Sequence, residues 1–324
     1  MLLFSSNAAA QSIGVCYGQV GNNLPSAIEV IDLYKTNNIG KMRIYNPNQE
    51  TLQALGGSNI ELVIGVPNEE IQSIANDVSS ATNWVQNNIL KYSQNVNFKY
   101  IVVGNEIDPS KDATSQFVLH AMENIYTSLA SSNLQNQIKV STAIHMALLG
   151  SSYPPSTGAF SSSSISYITP IVNFLARNGA PLLANVYTYF AYIGNKQDIP
   201  LDYALFKQQG INDVGYQNLF DAQLDSIYAA LEKVGGSNVK IIVSETGWPS
   251  VGEDSATTGN AATYYANLIN HVKSGNGTPM RPGQAIEAYL FALFDENQKP
   301  GAATEQHFGL FNPNKSPKYQ LGFL

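Results

Sequence analysis

The sequence contains a single cysteine, Cys16, in 324 residues. No intrachain disulfide can form, and cysteine usage gives no reading of the redox compartment. Cys16 lies in the first strand-like run, where a buried structural thiol is a simpler reading than a nucleophile. Charge is also sparse, at 13% of residues. Seventeen Lys and Arg against 24 Asp and Glu leave a formal net charge of −7, with no basic run. That pattern argues against nucleic acid and anionic membrane as partners. Beyond the N-terminus no stretch is long and apolar enough to span a bilayer. No internal repeat and no linker-like break divides the chain, and the serine run at Ser161–Ser164 is too short to separate domains. One domain over residues 11–324 is therefore expected.

What is present is apolar and aromatic. Hydrophobic residues make up 44% of the chain, ample for a large core and unlike a disordered composition. Eighteen Tyr and thirteen Phe, with many Asn and Gln, suit a surface that stacks on and hydrogen-bonds neutral polar ligands such as sugars. Met1 to Ala10 is short, small and apolar, and ends Ala8-Ala9-Ala10 before Gln11. It reads as the tail of a clipped signal peptide, lacking the basic leading region, with an ordinary chain start as the alternative.

Strand-like and helical runs alternate along the chain. Strands are expected at Ile13–Gly18, Lys41–Tyr45, Ile60–Val66, Tyr100–Glu106, Ile138–His145, Leu182–Phe190, Val239–Glu245 and Ile286–Glu296. Helices are expected at Pro25–Asn37, Asn48–Leu55, Glu69–Tyr92 (in one piece or two), Ala113–Ser131, Ile165–Asn178, Leu219–Val234 and Ala261–Lys273, with a long loop at Ala191–Tyr216. Eight strands alternating with helices favour a closed (β/α)8 TIM barrel over an open sheet.

Two strand ends carry the chemistry. Lys240-Ile-Ile-Val-Ser-Glu245 is an apolar run that ends in a carboxylate, and Gly247, Trp248 and Pro249 then open a loop. A charge ending a buried strand costs several kcal/mol unless something pairs or uses it. Taken alone, Glu245 is as well explained by a salt bridge. Tyr100-Ile-Val-Val-Gly-Asn-Glu106 repeats the construction, and in a barrel the C-terminal strand ends form the active face. Paired carboxylates suit glycosidic cleavage, one protonating the leaving oxygen and the other acting across the anomeric carbon. A separation of about 5–5.5 Å gives retention of configuration, a distance sequence does not supply. Asn105 is a candidate for the sugar 2-hydroxyl. Tyr17, Tyr45, Tyr187, Tyr189 and Phe190, with Asp295 and Glu296, fall at other strand ends, where rings either pack in the core or line a groove.

At these residues the chain resembles glycoside hydrolase family 17, the plant glucan endo-1,3-β-glucosidases. Ser244-Glu-Thr-Gly-Trp-Pro-Ser250 looks like that family's signature, and the likeness runs nearly end to end. It takes in Ile13-Gly-Val-Cys-Tyr-Gly18, Met42-Arg-Ile-Tyr-Asn-Pro-Asn-Gln49, Val103-Gly-Asn-Glu-Ile107, Gly179-Ala-Pro-Leu-Leu183, Phe294-Asp-Glu-Asn-Gln-Lys299 and Phe308-Gly-Leu-Phe311. The resemblance implies a barrel and a retaining mechanism without metal or other cofactor, with Glu245 as nucleophile and Glu106 as acid/base. It implies an accessory set of Glu296, Lys299 and Glu305 near the acid/base. Tyr45, Tyr187, Phe190 and Phe308 match its groove aromatics, and Trp248 of the signature counts with Asn105 among the substrate-binding residues. Thr246, Asp295 and His145 depart from the family pattern, which bears on fine specificity.

The expected partner is therefore β-1,3-glucan, acted on by a monomer. Cutting of mixed-linkage 1,3;1,4-β-glucan and glycosyl transfer are the enzyme alternatives. A glucan-binding protein that has lost turnover is the alternative from another class. The chain stops soon after Tyr319-Gln-Leu-Gly-Phe323 with no hydrophobic anchor signal. Family members sent to the vacuole carry a C-terminal extension not seen here, so the resemblance implies a secreted, cell-wall protein rather than a vacuolar one. The sequons at Asn276 and Asn314 are each followed by Pro, which disfavours glycosylation.

Overall fold

The computed structural model describes residues 12–321. The segment Met1–Ala10, read above as the tail of a signal peptide, lies outside the described residues, as do Gln11 and Gly322–Leu324. Eight parallel strands close into a barrel: β1 (Ile13–Cys16), β2 (Lys41–Ile44), β3 (Glu61–Val66), β4 (Asn97–Asn105), β5 (Lys139–His145), β6 (Leu182–Asn185), β7 (Ile241–Thr246) and β8 (Ala288–Leu290). Each is paired with its neighbours in chain order, and β1 is paired with β8. The (β/α)8 expectation therefore holds. No helix among the described residues is long and apolar enough to cross a membrane.

The strands are runs of β-branched and aliphatic residues because they are buried on both faces. Leu62, Val63 and Ile64 of β3, like Ile101, Val102 and Val103 of β4, are all buried. Helices begin where short polar side chains can take up the first free N–H groups. Asn48 accepts from Thr51 N at 2.8 Å ahead of Gln49–Ala54. The helical run expected at Glu69–Tyr92 in one piece or two is divided at Asp77, which separates Ile71–Asn76 from Val78–Val85 and caps the second piece through Ser79 N at 2.9 Å.

Two strands are shorter than their composition suggests. The run expected as strand over Leu182–Phe190 leaves the sheet at Asn185, and Thr188–Gly194 is helical. A short aromatic run fits either state. Here tertiary contacts decide it: Thr188 Oγ1 donates to Ala204 O at 3.0 Å, and Tyr189 packs edge-on against Trp248. The expected Ala191–Tyr216 loop accordingly includes the end of that helix and another turn at Leu201–Ala204. Past Leu290 the chain leaves regular strand geometry and also pairs with the returning C-terminal segment. Ala292 N donates to Phe308 O and Phe311 N to Leu293 O.

The described chain forms two compact units. One holds residues up to Met42, Val186–Asp225 and those from Val243 onward, including β1 and β8. The other holds Arg43–Asn185 and Ser226–Ile242, including β3 to β6.

Candidate active site

Each unit carries one of the strand-end glutamates. In the second, β4 ends in a sharp turn: Gly104 has φ +78° and Glu106 φ +55°. A Cβ on Gly104 would lie 2.7 Å from Ile107 Cδ1, so the turn needs glycine for space as well as for its dihedral. A left-handed glutamate is uncommon, and such backbone strain collects at functional sites. It lifts an exposed carboxylate out of the strand end, while Glu106 N still donates to Ala143 O at 2.9 Å.

Beneath it lies a polar network unusual for a barrel interior. Asn185 Nδ2 donates to Glu106 Oε1 at 2.8 Å and to Asn105 Oδ1 at 3.2 Å. The buried guanidinium of Arg43 donates to Asn105 Oδ1 at 2.8 Å and to Asn185 Oδ1 at 3.1 Å. Asn68 fixes the backbone of Asn105 through both its N–H, at 2.8 Å, and its carbonyl, at 3.1 Å. With Oδ1 of Asn105 taken, its Nδ2 has no partner among the described residues and is left to donate to a ligand. Tyr45 stands over Arg43, ring centroid 4.6 Å from the guanidinium carbon, and is half-buried. Sequence reasoning missed Arg43 and Asn185. The available signals were a charge inside the apolar Met42-Arg43-Ile44 run and a polar residue closing β6.

In the other unit Glu245 lies buried near the end of β7. Its Oε2 accepts from Tyr187 Oη at 2.7 Å, and its carbonyl accepts from Val186 N at 2.8 Å. Glu296 is buried too, its Oε1 accepting from Val20 N at 2.9 Å. A Cβ at Gly18 would fall 2.3 Å from its Oε2, so the glycine makes room for the carboxylate. Lys299 Nζ stands 3.9 Å from Glu296 and 3.7 Å from Glu305, over the face of Phe291. Burial pushes the Glu296 carboxyl up, Lys299 and the Val20 N–H pull it down, and Glu245 and Glu305 push it up. Glu296, Lys299 and Glu305 thus form one group, and Glu245 is among the charges that act on Glu296.

The aromatics divide. Tyr187 is half-buried, its ring centroid 5.2 Å from that of Phe190 and 5.8 Å from that of Phe308. Phe190 is 45% exposed and offers a face to a ligand. Phe308, at 2% exposure, and Trp248, at 0%, do not. Trp248 Nε1 donates to Ser255 O at 2.8 Å, and the indole is wedged between Tyr189 and Tyr264. Neither ring is available to stack on a sugar, which corrects the expectation that both touch substrate. Among the described residues no three His, Cys, Asp or Glu side chains gather as a metal ion would require.

The family model for glycosyl hydrolases family 17 matches residues 13–323. The chain belongs to this family. Named relatives match it over most of their own length. A glucan endo-1,3-beta-glucosidase of Vitis vinifera is 59% identical, covering 100% of this chain and 95% of its own. An acidic isoform of the same enzyme from Nicotiana tabacum is 58% identical, covering 97% and 88%. Among solved structures, the Cryptomeria japonica pollen allergen CJP38, a beta-1,3-glucanase, superposes with TM-score 0.93 at 48% identity, over 96% of this chain and 99% of that one. A plant beta-glucan endohydrolase superposes with TM-score 0.90 at 44% identity, over 95% and 99%. The protein is a family 17 glycoside hydrolase.

Proposed function

We propose that the protein hydrolyses internal 1,3-β-glucosidic bonds of β-1,3-glucans with net retention, Glu245 being the nucleophile and Glu106 the acid/base. The observation that carries this reading is that each strand-end glutamate has one carboxylate oxygen held by a neighbouring side-chain donor. Tyr187 Oη holds Oε2 of Glu245 at 2.7 Å, and Asn185 Nδ2 holds Oε1 of Glu106 at 2.8 Å. The substrate class is supported by relatives of 57–59% identity named glucan endo-1,3-beta-glucosidase.

In the first step Glu245 attacks the anomeric carbon and the glycosidic C–O bond breaks. Glu106 gives its proton to the departing oxygen, so a glycosyl ester and a free sugar hydroxyl are formed. In the second step Glu106, now a carboxylate, takes a proton from water. That water attacks the same carbon, and Glu245 leaves as the carboxylate. The free Nδ2 of Asn105 suits the 2-hydroxyl, where contacts strengthen in the transition state. Phe190 and Tyr45 suit stacking on neighbouring sugars.

Proton NMR during early hydrolysis of laminarin tests the assignment. The β-anomer is expected before mutarotation, and Glu245→Gln is expected to abolish turnover while glucan binding persists. The α-anomer appearing first, or Glu245→Gln turning over within about tenfold of wild type, sinks it.

A further inference from the structure

His145 is the last residue of β5 and lies in register with Asn185 of β6, the residue that donates to Glu106. Its ring is only partly covered, and its two nitrogens differ in their surroundings. Nε2 is buried and meets no hydrogen-bond partner among the described residues. Nδ1 is not among the buried atoms and makes no hydrogen bond to them either.

An unpaired buried nitrogen costs less as a bare lone pair than as an N–H, since orphaned donors are the rarer exception in proteins. The neutral tautomer with its proton on Nδ1 is therefore favoured. Burial also lowers the affinity of the ring for a second proton, as does Lys111, while Asp108 works the other way. Asp108 and Lys111 are themselves joined, Nζ to Oδ2, at 3.0 Å in the loop that follows Glu106. The result is a neutral imidazole whose single N–H is on the accessible nitrogen.

We propose that His145 is a substrate-contact residue on the leaving-group side, its Nδ1–H donating to a hydroxyl or ring oxygen of the sugar that departs. The proposal rests on Glu106 being the acid/base. That residue must touch the glycosidic oxygen it protonates, so the sugar attached to that oxygen lies on Glu106's side of the bond. The same sugar position is taken by an acceptor when the glycosyl ester is attacked by carbohydrate instead of water. His145 then helps to set both which glucans are cut and how much transfer competes with hydrolysis.

The test compares His145→Leu with His145→Asn in the full chain. Leucine removes both nitrogens at similar bulk, whereas the asparagine Nδ2 falls where histidine has Nδ1 and restores the donor. Two substrates are used: a laminari-oligosaccharide, whose leaving group is sugar, and a dinitrophenyl β-laminaribioside, whose leaving group is not. His145→Leu is expected to lower kcat/KM on the oligosaccharide about tenfold, the scale of one neutral hydrogen bond to substrate. Transfer to added laminaribiose should fall with it, while the aryl glycoside is cleaved at the wild-type rate. His145→Asn should recover most of both losses. An equal loss on the two substrates overturns the proposal, as does a fall in Tm with unchanged kinetics, which makes His145 a packing residue. A wild-type protein inactive on both substrates refutes the glucanase reading itself, and this proposal with it.

Discussion

The phenol of Tyr187 donates a 2.7 Å hydrogen bond to Oε2 of Glu245. A bond of this kind to a carboxylate contributes about 1.5–3 kcal/mol. It is strongest when Glu245 carries full charge, before attack and again as the carboxylate leaves the glycosyl ester. Tyr187→Phe therefore removes help from the departing nucleophile. The expected result is a fall in kcat of about tenfold or more on an activated aryl glycoside, with a burst of aryl alcohol as the glycosyl-enzyme accumulates. A lower kcat without a burst would place the tyrosine in the first step instead.

The two glutamates were legible because a carboxylate that ends an apolar run is an expensive placement wherever the strand lies. The network under Glu106 was not. Arg43 reaches residues 62 and 142 positions away, and Asn185 reaches Glu106 across 79. No local pattern reports pairings at such range. The ring assignments failed for another reason. Phe308 and Phe190 are the same residue type in similarly aromatic neighbourhoods, yet one is buried and the other open. Strand number and order were readable from alternation, but β6 and β8 end where tertiary contacts overrule a β-prone composition.

Trp248 and Phe308 are consequently expected to act through stability. Replacing either with Ala removes a wholly enclosed ring, at about 3–5 kcal/mol. Trp248→Ala also leaves the Ser255 carbonyl without its 2.8 Å donor. Denaturant unfolding should show the loss in both variants. Wild-type stability with weakened laminarin binding would return the rings to the groove.

Glu296 supplies a pH-dependent prediction. Its folded pKa is raised, chiefly by burial, with Lys299 as the largest opposing influence. A carboxylate raised in the folded state costs no stability below the unfolded pKa. The cost builds as pH rises from the unfolded pKa to the folded one, and it persists above that. Lys299→Met removes the opposing cation, so it should destabilise the protein at neutral pH and progressively less as Glu296 protonates on acidification. About 1 kcal/mol is expected at neutral pH, since Lys299 is partly solvated and 3.9 Å away. Tm measured from pH 7 down to pH 4 should show the gap narrowing, and a gap constant with pH would mean that Lys299 does not carry this charge.

The last prediction concerns Asp295, which ties the loop after Glu245 to the C-terminal segment through Lys318. Its carboxylate accepts from Lys318 Nζ at 2.7 and 2.9 Å and from Gly309 N at 2.8 Å. The same ammonium donates to Ser250 Oγ at 2.8 Å, and Ser250 closes the loop that follows Glu245. Both side chains of the pair are largely shielded, so losing one partner leaves the other poorly solvated. Lys318→Met and Asp295→Asn are each expected to cost about 1–3 kcal/mol. The double variant removes both charges and should cost less than the two single changes together, with a coupling of about 0.5–3 kcal/mol. Four denaturation curves, one for each corner of the cycle, give that number directly. Because the pair is shielded, the coupling should survive high salt, where an exposed pair would lose it. Strict additivity would mean that Asp295 and Lys318 are merely neighbours. The loop after Glu245 would then be held by its remaining bonds, from Ser250 N and Oγ to His307 O.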